Sequence, residues 1–386
     1  MTVVYLDYNA TTPVDPRVVD VMLPYFTDRP GNAASTDHSF GYEAQQAVER
    51  ARQEVADLLR VEPEEVIFTS GATEANNIAI LGTMRRASDD AQLVVGATEH
   101  PSTLEAAREF PDRLIELPVD SHGLVDPDEV KRALSRRTAL VSVMTANNET
   151  GTIQPIDEIA AICAEAGIPF HTDAVQAAAR LPLDLRTTCV SLASVSAHKM
   201  YGPKGVGALV VRRRRPRPRL SPVMHGGGHE RNLRPGTLNV PAIVGFGAAA
   251  SLVRAEGPSD WERERELRSE LASRLHQICP DARIHDATAR QLPQTLSVQL
   301  PGIDGQALMR LVNRDVAIAT GSACSTVSVE PSHVLLAQGR SPRDARETVR
   351  ISFGRWTSEG DVERAITAFD GAVEHLRRLG PSVAAA

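Results

Sequence analysis

Apolar and β-branched residues come in short, regularly recurring runs through the first half of the chain. EVIFTS (65–70), AQLVVGA (91–97), RLIELPV (113–119), TALVSVMTA (138–146), IPFHTDA (168–174) and VSLASVSA (190–197) read as strands. Between them the apolar positions shift to a helical period, in EAQQAVERARQEVADLLR (43–60), DPDEVKRALS (126–135) and IDEIAAICAEAG (156–167). Such alternation predicts a largely parallel sheet covered by helices. Open sheets of that kind bind ligands where their strands end. VGALVVRR (206–213) reads as one more strand. The pattern then breaks: RRRRPRPRLSP (212–222) is a surface loop by its charge and prolines, better read as a solvated hairpin tip than as a nucleic-acid patch. The glycine-rich HGGGHERNLRPGTLNVP (225–241) follows. From about residue 250 a long charged helix, WERERELRSELASRLHQI (261–278), opens a second region with strands QTLSVQL (294–300) and DVAIATGS (315–322). The expected division is a large domain over 15–250 and a smaller α/β domain made of 1–14 and 251–386.

At 386 residues the chain suits two domains. The net charge of −7 argues against a general nucleic-acid binder, and no apolar run is long enough for a membrane span. The start, MTVVYLDYNATTP, lacks the basic and apolar segments of a signal peptide, so the expected location is the cytoplasm. The four cysteines, Cys163, Cys189, Cys279 and Cys324, show no C-x-x-C pairing; neither a disulfide framework nor a metal site is expected. Cys163, Cys189 and Cys279 have bland contexts, but Cys324 follows Gly-Ser-Ala and precedes a Ser/Thr-rich stretch. Lysine is scarce: Lys131, Lys199 and Lys204 stand among many arginines. An amine that survives such a bias is a candidate for chemistry that guanidinium cannot perform, Schiff-base formation above all.

The sharpest chemical signal is SVSAHKMYGPKGVGAL, where a strand runs into Ser196, Ala197, His198 and Lys199. Burial at a strand end would lower the pKa of Lys199 and make its amine nucleophilic. Lys204 in its Gly-Pro-Lys-Gly turn is the competitor, and an ordinary ion-paired lysine is the plainer reading of either. Asp173 ends an apolar strand with Gln176 three residues on. A buried carboxylate needs a cation, which a pyridinium nitrogen would supply; helix capping is the alternative. TSGATEANN puts Gly71, Ala72 and Thr73 at a strand-to-helix turn, a candidate phosphate cradle. His100 could lie on a ring face and shuttle protons, or simply cap a helix. Asn148 could bond a phenolic oxygen or the substrate, and the fork of Arg355 suits a substrate carboxylate.

Taken in order, GATEANN, TEHPS, NNETG, HTDAVQ, SAHKMYGPKGVG, RPGTLN, GSAC and SFGR resemble the NifS/IscS family of cysteine desulfurases, in the class V aminotransferase group of fold-type-I pyridoxal-phosphate (PLP) enzymes. The resemblance runs from residue 5 to residue 357. It implies a large domain with a mainly parallel seven-stranded sheet, a smaller α/β domain, and conversion of L-cysteine to L-alanine with a persulfide on Cys324. Lys199 would attach the cofactor, Asp173 pair with its ring nitrogen, Gln176 bond its phenolic oxygen and His100 stack on the ring. Ala72, Thr73, Ser196 and His198 would hold the phosphate, with Thr237 reaching across from the second subunit of a homodimer. Asn148 and Arg355 would grip substrate. The stretch after GSAC resembles the branch with an extended cysteine loop. The chain ends soon after its last helix, whereas members that serve iron–sulfur scaffolds carry a longer tail. The acceptor protein therefore stays open between such a scaffold and a DNA-phosphorothioation protein of the DndA type. A selenocysteine lyase or another class V enzyme, and a binding module without chemistry, are the rival readings; only the last would be colourless when purified.

Overall fold

The computed structural model describes residues 3–285, 290–320 and 330–380. β1 (Val4–Tyr5) opens it. Seven strands, β2 (Val66–Thr69), β3 (Gln92–Gly96), β4 (Leu114–Leu117), β5 (Thr138–Ser142), β6 (Phe170–Asp173), β7 (Leu192–Ser196) and β8 (Gly207–Val211), form one sheet in the order β2-β8-β7-β6-β5-β3-β4. β9 (Arg283–Ile284), β10 (Thr295–Gln299), β12 (Ala319–Thr320) and β13 (Thr348–Ser352) form a second sheet, while β11 (Val316–Ala317) pairs with β1. The helices are α1 (Pro16–Met22), α2 (Ser39–Leu59), α3 (Ala72–Met84), α4 (Pro101–Arg108), α5 (Pro127–Ala133), α6 (Ile156–Glu165), α7 (Val240–Ile278), α8 (Gly305–Val312), α9 (His333–Ala337), α10 (Pro342–Arg346) and α11 (Glu359–Leu379). None is long and apolar enough to cross a membrane.

The large sheet is parallel from β4 through β3, β5 and β6 to β7; α4, α5 and α6 carry the crossovers as far as β6, and residues 174–191 link β6 to β7 through turns. β8 is antiparallel to both β7 and β2. Only residues 197–206 separate β7 from β8, too few for the crossover a parallel partner requires. The strands β2, β5, β6 and β7 are buried almost throughout because helices cover both faces, and His171, Thr172 and Asp173 of β6 are buried with the rest. Each fully buried Val, Leu or Phe there contributes about 1.5–3 kcal/mol. The carboxyl ends of β2, β3, β5, β6 and β7 lie along one edge of the sheet, and a chemically marked segment follows each of them.

α7 differs from the sequence expectation. Gly257 and Pro258 suggest a helix beginning at Trp261, yet the helix runs unbroken from Val240. Its first half is held by close packing on α2: a Cβ on Gly247 would lie 2.6 Å from Ala51 Cα. That tertiary contact outweighs the local cost of the proline. Val240 to Val253 join the core under the large sheet, and Leu267, Leu271 and Leu275 join the core of the second sheet. The expected boundary at residue 250 therefore falls inside one continuous helix.

Candidate active site

Nine of the residues singled out in the sequence line a single cavity of about 620 Å³ at the carboxyl edge of the large sheet: Ala72, Thr73, His100, Asn148, Asp173, Gln176, Ser196, His198 and Lys199. Its size is that of a small-molecule site. α3 begins at the cavity wall, so its first amide groups have no partner within the helix. Gly71 precedes them with φ +152°, and a Cβ on Gly207 would lie 2.8 Å from Gly71 Cα, so this loop and the start of β8 touch backbone to backbone. Ser196 ends β7 beside them. His198 is held neutral, its pKa driven down to about 4 by burial and then by Lys199 and Lys204.

At the opposite end, Asp173 is buried, 6% exposed. Its Oδ1 accepts from the Val175 amide (3.0 Å) and its Oδ2 from Asn76 Nδ2 (2.8 Å). It caps the following turn and also lines the cavity. Lys199 Nζ donates to the carbonyls of Asn9 (2.5 Å) and Ala10 (2.8 Å). Gln176 Nε2 also donates to Asn9 O, at 3.0 Å. His100 caps α4 by accepting the Ser102 amide on Nδ1 (3.1 Å), and burial lowers its pKa.

The arrangement offers helix-end amides and hydroxyls at one end, a buried carboxylate at the other, and an amine and an imidazole between. These suit a phosphate, a cationic ring nitrogen and an aldehyde on one flat molecule, and those are the handles of PLP.

Asn9 also lines the cavity, and the sequence motifs give it no role. Its amide spans the two sheets, with Nδ2 donating to Thr295 Oγ1 (2.8 Å) and Asn148 O (3.1 Å). The largely polar stretch DYNATT (7–12) directly after the apolar VVYL (3–6) is the signal that marks it.

Arg355 requires correction. It lies outside the cavity, at the seam between the two sheets' cores. Nη1 bonds Asp15 (2.8 Å), Nε bonds Asp260 (2.8 Å), and the guanidinium stacks 4.5 Å from the Tyr201 ring centre. Asp15 is drawn down to about 2, chiefly by Arg17 and further by Arg355. The arginine at the cavity is Arg350. Nη1 donates to Asn148 O (3.1 Å), Nη2 donates to Asp7 (2.7 Å), and Nε is buried without a hydrogen-bond partner. Strand alternation is the reason: Val349, Ile351 and Phe353 enter the second core, so Arg350 and Ser352 face Asn9 and Asn148.

Thr237 is exposed and does not line the cavity of its own chain. Its loop is fixed by Arg52 on Glu230 (2.8 Å) and Arg234 on Glu74 (3.0 Å). Cys324 lies outside the described residues.

The aminotransferase class V family model matches residues 4–365. A cysteine desulfurase IscS of Anaeromyxobacter dehalogenans is 47% identical over 98% of this chain and 94% of its own. Among solved structures, a NifS-like protein superposes with a TM-score of 0.90 at 35% identity, over 97% of this chain and all of its own. DndA from Streptomyces lividans does so with a TM-score of 0.77 at 39% identity, over 89% of this chain and 98% of its own.

Proposed function

We propose a division of labour for this chain, which belongs to the class V aminotransferase family and, within it, to the PLP-dependent cysteine desulfurases: Lys199 attaches the cofactor and moves the substrate proton, Arg350 and Asn148 hold the cysteine carboxylate, and Cys324 receives the sulfur. The observation that carries it is the convergence of nine residues from five separate sequence segments on one cavity. Asp173 holds the ring nitrogen in its protonated form. Bound there, PLP supplies the electron sink for a carbanion at the substrate Cα. Lys199 takes the Cα proton. The Cys324 thiolate attacks the substrate sulfur, breaking the Cβ–S bond, and alanine leaves after reprotonation. Ala72, Thr73, Ser196 and His198 hold the phosphate. The test is incubation of the purified, PLP-loaded protein with L-cysteine. One alanine per sulfur transferred is expected; pyruvate with free sulfide would point to elimination instead.

The two arginines separate cleanly. Arg350→Ala should lower kcat/KM for cysteine by roughly 10- to 100-fold, the loss of a hydrogen-bonded charge contact of about 1.5–3 kcal/mol, while the fold persists. Arg355→Ala should cost about 3 kcal/mol of stability, because buried Asp260 keeps only the longer contact to Arg263 and Asp15 keeps only Arg17. Denaturant titration and steady-state kinetics on both variants check the pair, and an unstable Arg350→Ala with an intact but inactive Arg355→Ala would reverse the roles.

The working unit is a homodimer in this reading. Leu23, Phe26, Phe40 and Tyr42 are each more than half exposed, which is unusual for large apolar side chains and fits a covered face. Thr237, unable to reach its own cavity, completes the partner's phosphate site. Mixing Lys199→Ala with Thr237→Ala subunits should then regenerate one intact site per hybrid dimer, since both lesions fall in the same pocket. Hybrids that stay inactive would count against donation across the interface. The sulfur acceptor is a protein, either an iron–sulfur scaffold or a DNA-modification partner, and the enzyme works in the cytoplasm, where its thiols stay reduced. Co-purification with wild type and with Cys324→Ser identifies which.

A further inference from the structure

His100 sits between two donors on one side and the cavity on the other. The Ser102 amide points at Nδ1 from 3.1 Å, and Ser102 Oγ lies 2.8 Å from the same atom. The direction of the hydroxyl is fixed from behind. Asn76 Nδ2 lies 2.8 Å from Ser102 Oγ and 2.8 Å from Asp173 Oδ2. A carboxylate oxygen can only accept, so the amide must present its NH₂ to Asp173 and cannot be flipped. Its second N–H then goes to one lone pair of Ser102 Oγ, and because the Ser102 amide already donates to His100 Nδ1, that nitrogen is an acceptor and the hydroxyl hydrogen points to it. The arrangement has a cost: Asn76 Oδ1 is buried without a partner. Nε2 of His100 has no protein partner among the described residues.

We propose that Asn76 and Ser102 are positioning residues that lock His100 in the tautomer with its proton on Nε2, so that the ring serves the cavity as a hydrogen-bond donor and not as a base. This rests on the reading that the cavity holds PLP against His100. With Nε2 already protonated, the ring could take a further proton only on Nδ1. The hydroxyl can rotate away, but the Ser102 amide cannot, and two N–H groups would then face each other. The charged and titratable groups around the ring are Asp173 on β6, Lys199 after β7 and His333 on α9. Glu99, its chain neighbour, turns its carboxyl to the Met144 amide. Burial, Lys199 and His333 oppose a second proton, and Asp173 alone favours it. A neutral imidazole in such a place can stabilise developing negative charge as a donor. Proton transfer at the substrate carbon is then left to Lys199.

The test is nitrogen NMR on the PLP-loaded protein with ¹⁵N-labelled histidine. The chain has 11 histidines, and the signals of His100 are assigned by their loss in His100→Gln. Nδ1 should resonate as an unprotonated acceptor and Nε2 as N–H, without change between about pH 6 and 9. Ser102→Ala removes one of the two donors and should shift the tautomer ratio roughly three- to tenfold toward Nδ1–H, the equivalent of one hydrogen bond. Ser102→Thr, which keeps the hydroxyl, should restore the wild-type spectrum. A proton on Nδ1, a doubly protonated ring in that range, or a Ser102→Ala spectrum identical to wild type would each overturn the proposal. The visible absorbance of bound PLP keeps this separate from the functional reading: a protein that takes up no PLP defeats that reading, whereas a coloured protein with the wrong tautomer defeats only this inference.

Discussion

Lys199→Ala is expected to abolish conversion of cysteine to alanine, with a loss of at least about 10⁴-fold. Proton transfer by a positioned group alone contributes about 10²–10⁴-fold, and the same side chain also provides the covalent attachment. Neither remaining lysine can stand in. Lys204 is exposed at the cavity wall in its own turn, and Lys131 is exposed on α5. The amine of Lys199 is held between the carbonyls of Asn9 and Ala10, which orients it. Borohydride reduction of the loaded protein followed by peptide mapping should place the pyridoxyl group on Lys199. A label on Lys204, or alanine formation by Lys199→Ala within tenfold of wild type, would sink the assignment.

Cys324→Ser is expected to keep the absorbance of bound PLP, bind cysteine and still show the substrate-induced spectral change, yet release almost no alanine or sulfide. In the proposed scheme, cofactor binding and removal of the Cα proton draw on Lys199, Asp173 and the phosphate cradle, none of which needs the thiol. Sulfur removal needs a nucleophile that forms a stable bond to sulfur. A thiolate does so, whereas a serine hydroxyl stays protonated at neutral pH and is a poor nucleophile. The loss in alanine release should be large, since removal of an essential nucleophile costs up to about 10⁶-fold in kcat. Near wild-type desulfuration by the serine variant would mean direct elimination. Loss of the cofactor absorbance would make Cys324 a structural residue of the pocket.

The remaining cysteines offer no substitute. Cys163 is buried in α6 and burial pushes its thiol up to about 12; Cys279 is likewise raised to about 11, chiefly by burial. Both stay protonated and unreactive at physiological pH. Cys189 is exposed, but it lies in the link that leads into β7, and it does not line the cavity.

What the sequence determined by itself was local and one-dimensional. Runs rich in apolar residues and bounded by turns located all seven strands of the large sheet, because most positions of a strand covered on both faces are apolar, although β6 also buries His171, Thr172 and Asp173. The positions of Thr73, His100, Asn148, Asp173 and Lys199 just past strand ends followed from the same pattern, and a parallel sheet gathers such positions along one edge. What only the tertiary structure decided was which side chains face that edge from the second sheet, and which local rules yield. VRISFGR offers two arginines, and nothing in the string says which enters the cavity. The choice fell to Arg350 once Val349, Ile351 and Phe353 were committed to the second core. Gly257 and Pro258 read as a break, but α7 continues through them because Gly247 packs against Ala51 some ten residues earlier. Asn9 bonds residues as far away as Thr295, a contact between positions 286 apart in sequence. Periodicity reports the burial of a segment's own face. It carries no record of the distant partner against which that face, or its opposite, is finally set.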